Sequence, residues 1–356
     1  MRRYFARVLA AVEKNAYTAR VKGAWKRLRY RAEWLAVKLL LALVPLLSRK
    51  ACYDLAGFAG SVVSRFDRRG RQVAFSNLTA AFGETFSAER REEIVRESYQ
   101  HFARTMLDLF WSPRLTSETY RDYIEFEGVE RTRVEVAPSN SCIVGAFHYG
   151  NFEWFSLASA WLGFPSAIAA QEFKNPLLDD LFRKLREQSG HTMVDREGAI
   201  IRLYKVLRKG GRVALLVDTT LPPHHPTVVI DCFGMKTIVT VAHAWLADRT
   251  GVPIIPTYCE PLPDGRYRVV THPKIQLPRD ATHREIAQAC WDSFEPVVRR
   301  NPAPWMWMYK HWRYKPAGAA DYPFYAQESW AFEQIAARPN YSKLDRSAAP
   351  ENRSAA

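Results

Sequence analysis

Apolar residues recur at three- and four-residue spacing from residue 24 to about residue 112, as they do on one face of an α-helix. Gly57, Gly70 and Gly83 interrupt this pattern and divide it into several helices. Ser87 stands directly before a long periodic segment and is a suitable N-cap for it. We therefore predict that the first third of the chain is helical.

Strand and helix patterns alternate after residue 140. The apolar run SCIVGAFH (141–148) is typical of a strand that is covered on both faces. Further strands are predicted at 166–171, 212–218, 228–233, 252–258 and 267–272, and helices at 151–163, 175–190 (with Pro176 in the first turn), 198–211, 237–250 and 282–300. This alternation predicts an α/β fold: a mixed sheet layered with helices, preceded by an N-terminal helical arm.

The most apolar stretch runs from Trp34 to Leu47, and residues 1–31 before it hold ten lysines and arginines against one acidic residue, Glu13. Such a pair of segments is typical of an anchor at the cytoplasmic surface of a membrane, where each well-placed cation contributes roughly 1 kcal/mol. The apolar stretch is shorter than the ~20 residues of a spanning helix, so we favour a helix lying in the interface. A single spanning signal-anchor, a plain buried helix and a basic, partly disordered N-terminus remain open.

The composition narrows the class of protein. Hydrophobic residues make up 47% and charged residues 25%, which excludes disorder over most of the chain. The net charge of +14 favours an anionic partner: nucleic acid, lipid headgroups or an acidic carrier protein. Five widely spaced cysteines without a CxxC pair indicate a reducing cytosol and no disulfide framework. The aromatic and basic segment 304–316 suits a membrane interface, and no nucleic-acid motif accompanies it.

The segment FHYGNFEW (147–154) carries the candidate chemistry. His148 ends a predicted strand, Gly150 permits a tight turn, Asn151 is a good N-cap, and Glu153 falls in the first turn of the next helix. A carboxylate bonded to one imidazole nitrogen leaves the other free to take a proton from a hydroxyl. The same spacing also arises when an acidic residue merely favours a helix start and the histidine is structural.

The sequence resembles the bacterial lipid A biosynthesis (lauroyl/myristoyl) acyltransferases, within the glycerolipid acyltransferases that carry an H-x4-D/E motif. The likeness covers about residues 30–315 and includes four further blocks: RQVAFSNLTAAFGE (71–84), DREGAIIRLYKVLRKGGRVALLVD (195–218), CFGMKTIVTVAHAWLADRTGVPIIPTY (232–258) and WMWMYKHWRYKP (305–316). Phe152 stands where tryptophan is usual, Cys232 replaces a phenylalanine, and the loop after residue 218 departs from the family pattern. These departures leave the lipid acceptor open.

The resemblance implies a fold like that of the glycerolipid acyltransferases and a role for each matching residue. His148 would be the general base and Glu153 the carboxylate that orients it. Arg196 would contact a phosphate or headgroup, and Asp218 would support the site. Acyl-acyl carrier protein would be the donor and a lipid A precursor or related glycolipid the acceptor, with no cofactor and no metal.

Two further expectations complete the prediction. Gly150 and Asn151 are expected on the substrate side of the site, where backbone N–H groups around them are candidate oxyanion donors. The chain is divided into a membrane anchor (1–48), an acyltransferase domain (49–316) and a C-terminal extension (317–356) that is disordered beyond about 337. A non-catalytic, membrane-associated lipid-binding protein on the same scaffold is the alternative, as is transfer to another glycolipid or an aminolipid.

Overall fold

The computed structural model describes residues 25–170, 173–195 and 197–342. The predicted helical region forms helix α1 (25–43), a 3-10 turn (Val44–Leu46), α2 (Arg49–Phe66), α3 (Arg68–Phe82) and α4 (Ala88–Trp111). Ser87 caps α4, as predicted, by accepting a hydrogen bond from the N–H of Arg90. None of the helices in these described ranges is long and apolar enough to cross a bilayer. Residues 1–24 of the predicted arm lie outside the described residues.

A seven-stranded sheet lies at the centre of the molecule, in the order β1-β9-β8-β2-β5-β3-β4. Strands β8, β2, β5, β3 and β4 are parallel, whereas β9 and β1 at one edge run in the opposite direction. The strands are β1 (Ile124–Glu127), β2 (Ile143–Ala146), β3 (Ala167–Ala170), β4 (Thr192–Asp195), β5 (Val213–Leu216), β6 (Thr227–Cys232), β7 (Met235–Thr240), β8 (Ile254–Pro261), β9 (Tyr267–Thr271), β10 (Tyr314–Lys315) and β11 (Gln327–Glu328). The predicted mixed α/β fold is confirmed.

Helices join the strands and cover the sheet. They are α5 (Tyr120–Tyr123), α6 (Val129–Val136), α7 (Phe152–Trp161), α8 (Pro176–Glu187), α9 (Ala199–Arg208), α10 (Ala242–Thr250), α11 (His283–Asp292), α12 (Glu295–Arg300) and α13 (Trp330–Ala336). Pro176 occupies the first turn of α8, where its missing N–H leaves no intrahelical bond unmade. The crossover helices place the carboxyl ends of β2 and β5 side by side, which decides where the site forms.

The helix predicted at 237–250 is only half correct. β6 and β7 pair as an antiparallel hairpin, so residues up to Thr240 are strand and only α10 is helical. Phe233 and Gly234 form the turn with φ of 53° and 79°, the left-handed pair that a two-residue hairpin needs. The β-branched residues of KTIVT favour the strand and outweigh the helical spacing. The helix predicted at 282–300 is likewise two helices, and α12 begins with a proline in its first turn.

The C-terminal extension packs against this hairpin where it is described. Ala331, Phe332 and Ile335 of α13 are buried with Val229 and Ile238. Residues 337–342, at the start of the predicted disordered tail, still contact α11: Tyr341 N–H donates to His283 Nδ1 at 3.0 Å. Residues 343–356 lie outside the described residues.

A buried histidine in α10 makes the fold sensitive to acid. His243 is 1% exposed, and neither ring nitrogen has a hydrogen-bond partner among the described residues. Burial lowers its pKa to about 4. Between pH 6.5 and 4 the unfolded chain binds a proton that the folded chain excludes, so the free energy of unfolding decreases as the pH falls.

Replacing His243 with Leu is expected to remove this part of the acid sensitivity. From pH 7.5 to pH 5 the wild type should lose about 2 kcal/mol more stability than His243→Leu, because the ring no longer has to stay neutral. Urea unfolding at both pH values measures the difference, and comparing each protein with itself cancels any change in packing. Equal losses in the two proteins would show that this ring does not titrate as described.

Candidate functional site

The site begins where two neighbouring parallel strands end. Ala146 of β2 is in register with Leu216 of β5, and two residues after each of these stand His148 and Asp218. His148 Nδ1 lies 2.8 Å from Asp218 Oδ1, and the His148 backbone N–H donates to Oδ2 at 3.0 Å. One carboxylate therefore fixes both the ring and the main chain of His148.

Asp218 is set up to remain ionised. Its side chain is 1% exposed, and Trp305 Nε1–H donates to Oδ2 at 3.0 Å. Burial by itself would raise the pKa of Asp218, but the adjacent His148 ring and the hydrogen bonds from His148 and Trp305 lower it below its ordinary value. An ionised carboxylate can only accept a hydrogen bond, so the Nδ1 atom that faces it must be the donor. The neutral ring therefore carries its proton on Nδ1, and Nε2 keeps a lone pair.

Glu153 is bound elsewhere, and the predicted bond between Glu153 and His148 is not formed. Glu153 faces α8, where Arg186 Nε donates to Oε2 at 3.0 Å and Arg186 Nη2 to Oε1 at 2.6 Å. The carboxylate is buried and the guanidinium largely so. The carboxylate that orients the histidine is Asp218, because β5 is hydrogen-bonded to β2 and Glu153 begins a helix that packs toward α8.

The Glu153–Arg186 pair is expected to behave as one unit in unfolding experiments. Glu153→Gln and Arg186→Gln should each destabilise the fold by about 3 kcal/mol, because each leaves a largely buried charge without its partner. The double substitution should be no worse than the worse single one. Urea unfolding of all four proteins measures this coupling.

Lys184→Gln is the matched control for this pair. Lys184 lies on α8, like Arg186, and pairs with Asp180, but the side chains of Lys184 and Asp180 are both mostly exposed. Its loss should cost at most about 0.5 kcal/mol. Additive losses from Glu153→Gln and Arg186→Gln would contradict the pairing.

A largely apolar cavity opens beside His148. Its volume is about 220 Å³. His148, Phe152 and Glu153 border it from the loop before α7 and the first turn of that helix, and Arg186 borders it from α8. The remaining wall is mostly apolar and includes Val144, Ala146, Phe155, Ile168, Ala214, Leu216, Ile255 and Val269. Such a cavity suits an aliphatic chain whose reactive end stays at the imidazole.

Gly150 and Asn151 hold the loop between His148 and α7. Gly150 has φ of +56°, and a Cβ there would lie 1.9 Å from the Cys259 carbonyl oxygen, so only glycine fits. Its N–H donates to the Pro304 carbonyl at 3.1 Å. Asn151 is buried and caps α7 by accepting from the Trp154 N–H at 2.9 Å. The predicted turn and cap are present, but their polar groups bind protein partners.

Backbone N–H groups without a hydrogen-bond partner among the described residues occur directly after Asn151, in the first turn of α7. In the described part of the chain the backbone N–H groups of Phe152 and Glu153 have no hydrogen-bond partner, as is usual for the first turn of a helix. Both residues border the cavity. The positive end of the α7 dipole therefore lies at the part of the cavity wall that Phe152 and Glu153 form.

Several site residues were not recognised in the sequence. Arg186 lies in the predicted helix 175–190, but no local pattern links it to Glu153. Trp305 belongs to the aromatic segment 304–316, whose composition suits a membrane interface, but its ring is 1% exposed and donates a hydrogen bond to Asp218. Arg196, the predicted headgroup contact, lies outside the described residues.

Comparison with known proteins identifies the family of the chain. A model of the bacterial lipid A biosynthesis acyltransferase family matches residues 20–314. The chain is also similar to a lipid A biosynthesis acyltransferase of Haemophilus influenzae, with 23% identity over 305 residues that cover 84% of this chain and 93% of that protein. The family resemblance of the sequence motifs is thus confirmed. The chain belongs to the bacterial lipid A biosynthesis acyltransferase family and is an acyltransferase.

Proposed function

We propose that this acyltransferase moves a fatty acyl group from an acyl carrier protein thioester to a hydroxyl of a lipid A precursor or related glycolipid, with His148 as general base. The observation that carries the proposal is the state of the His148 ring. Asp218 holds Nδ1, while Nε2 has no hydrogen-bond partner among the described residues and the ring borders the apolar cavity.

The reaction follows from this arrangement. Nε2 takes the proton of the acceptor hydroxyl as its oxygen attacks the thioester carbonyl, and the carbonyl oxygen becomes an oxyanion. In this proposal the free N–H groups of Phe152 and Glu153, both in residues that border the cavity, donate to that oxyanion. The C–S bond then breaks, and the imidazolium returns its proton to the thiolate that leaves. Asp218 stabilises the imidazolium while it exists.

The acceptor is reached, in this proposal, from the cytoplasmic face of the inner membrane. Large apolar side chains are exposed along α1, the 3-10 turn and α2, among them Leu35 (60%), Leu46 (76%), Phe58 (68%) and Phe66 (77%). An exposed apolar surface of this extent is typical of a protein or membrane contact. The net charge of +14 attracts both anionic lipid and an acidic carrier protein.

Mass spectrometry of products tests the proposal. Purified enzyme is incubated with either acyl-acyl carrier protein or acyl-coenzyme A as the donor and, in separate reactions, with a lipid A precursor that has a free hydroxyl, a neutral glycolipid or an aminolipid. The proposal expects the lipid A precursor to gain one acyl ester and the carrier protein to appear as the free thiol. Acylation of the aminolipid alone, or transfer only from acyl-coenzyme A, would contradict it.

A further inference from the structure

The buried ion pair of Arg49 and Asp108 lies against the loop 148–151, and neither the motifs nor the proposed reaction accounts for it. We propose that Asp108 and Arg49 are positioning residues for acyl transfer: through Asn151 they hold the loop that presents His148. The inference rests on the proposed role of His148 as the base. It concerns the geometry of the loop and assigns no contact between the ion pair and the substrate.

Asp108 lies near the carboxyl end of α4 with its side chain 1% exposed. Its Oδ2 accepts three hydrogen bonds: from Asn151 Nδ2 at 2.8 Å, from the Tyr267 hydroxyl at 2.7 Å and from Arg49 Nη2 at 3.1 Å. Arg49 Nη1 also donates to Oδ1. The carboxylate therefore ties together α2, α4, β9 and the loop before α7.

Asn151 transmits this arrangement to the site. Its Nδ2 donates to Asp108, and its Oδ1 accepts from the N–H of Trp154, so both ends of the amide are engaged. Asn151 stands three residues after His148 and directly before the free N–H groups of α7. Thr105, on the same face of α4 as Asp108, donates to the Gly150 carbonyl at 2.9 Å. Helix α4 thus holds two consecutive residues of the loop.

Arg49 completes the pair from α2. It is the first residue of that helix, and its guanidinium also donates to the Gly265 carbonyl at 3.2 Å and lies 4.6 Å from the ring centre of Trp154. A buried ion pair is seldom the most stable solution, since well-packed apolar residues often serve as well. Its place here, directly under the loop, indicates that it fixes geometry more than it adds stability.

Kinetics of Asp108→Asn tests the inference. The variant keeps the shape of the side chain but removes the charge that pairs with Arg49, and one of the two acceptor oxygens becomes an N–H₂ donor. We expect kcat to fall by about 10- to 100-fold, because a small displacement of a catalytic group has an effect of this size. The KM for the acceptor should change less than about twofold, since the pair binds no substrate. Adding Asn151→Ala to Asp108→Asn should lower kcat little further, because both substitutions act through the same hydrogen bond between Asp108 and Asn151.

Two further variants separate positioning from simple stability. Arg49→Lys keeps the charge and should recover part of the kcat that Arg49→Met loses. Arg91→Met is the matched control. Like Arg49, Arg91 is a largely buried arginine, but it belongs to α4 and donates to the Thr79 hydroxyl and the Gly83 carbonyl, and among the described residues it has no hydrogen bond to the loop 148–151. Arg91→Met should lower the melting temperature and leave kcat unchanged. Equal kcat losses in Arg91→Met and Arg49→Met would overturn the inference.

Hydrogen exchange gives a readout that does not depend on activity. Exchange of the peptide spanning 147–154 should be faster in Asp108→Asn than in the wild type, whereas Arg91→Met should leave it unchanged. Unchanged exchange in Asp108→Asn overturns the positioning role whatever the activity. Faster exchange with a wild-type enzyme that transfers no acyl group would support the positioning of the loop and overturn the proposed function alone.

Discussion

Replacing His148 with Asn is expected to lower kcat by about 10²- to 10⁴-fold, the contribution of a well-placed general base. The amide can still occupy the space of the ring but cannot take the hydroxyl proton at neutral pH. The KM values should change little, because the ring forms only the border of the cavity. Initial rates at saturating donor and acceptor, followed by mass spectrometry of the product, measure the loss.

His191→Asn is the matched control for this experiment. His191 borders the same cavity, but both of its ring nitrogens contact protein groups: Nδ1 contacts Ser166, and Nε2 lies 2.5 Å from the Ser156 carbonyl oxygen. Burial lowers the pKa of this ring, as expected for a neutral structural histidine. We expect less than about a fivefold change in kcat, because His191 has no role in proton transfer. Equal losses in the two variants would remove the special role of His148.

Replacing Asp218 with Asn is expected to lower kcat by about 10³-fold while the protein remains folded. The new amide donates where the carboxylate accepted, so the imidazole places its own proton on Nε2 and can no longer act as a base. The imidazolium also loses the charge that stabilises it. Rates and melting temperature measured on one preparation separate this effect from unfolding.

A milder variant tests the role of Asp218 through its second oxygen, Oδ2, to which Trp305 donates. Trp305→Phe removes the hydrogen bond to Asp218 Oδ2 and keeps the bond to the ring. We expect a loss of about tenfold or less, since the bond to the ring is retained. Because the pKa of Asp218 is lowered, the wild-type rate should not change through titration of this carboxylate above about pH 5.

An Asp218→Asn enzyme with wild-type kcat would contradict the assignment of Asp218 as the carboxylate that orients His148.

Local chemistry predicted the loop at the site correctly. The glycine at 150 and the cap at 151 follow from backbone conformation and from side chains that reach only three residues, and both are found in the structure. The strand that ends before His148 follows from an unbroken apolar run. The turn, the cap and the strand each depend only on residues close together in the sequence, so the sequence alone is enough to predict them.

The partners of these residues could not be obtained in the same way. His148 and Asp218 each stand two residues after a strand, but only the strand order makes β2 and β5 neighbours, and 70 residues separate the two side chains. Glu153 is nearer to His148 along the chain and was therefore the expected partner, yet α7 directs it toward Arg186. β6 agrees with the strand predicted at 228–233, but β7 was assigned to a helix because its apolar spacing also fits one, so the pairing of the two strands was missed.

The protonation state of His148 is the most direct test of the account. Nitrogen NMR of the enzyme with labelled histidine, in detergent micelles at a pH where the ring is neutral, assigns the proton to one ring nitrogen, and His148→Asn identifies the resonance. The account predicts a protonated Nδ1, an unprotonated Nε2, and reversal of this state in Asp218→Asn. A proton on Nε2 of the wild-type ring would contradict a base that takes the hydroxyl proton at that atom.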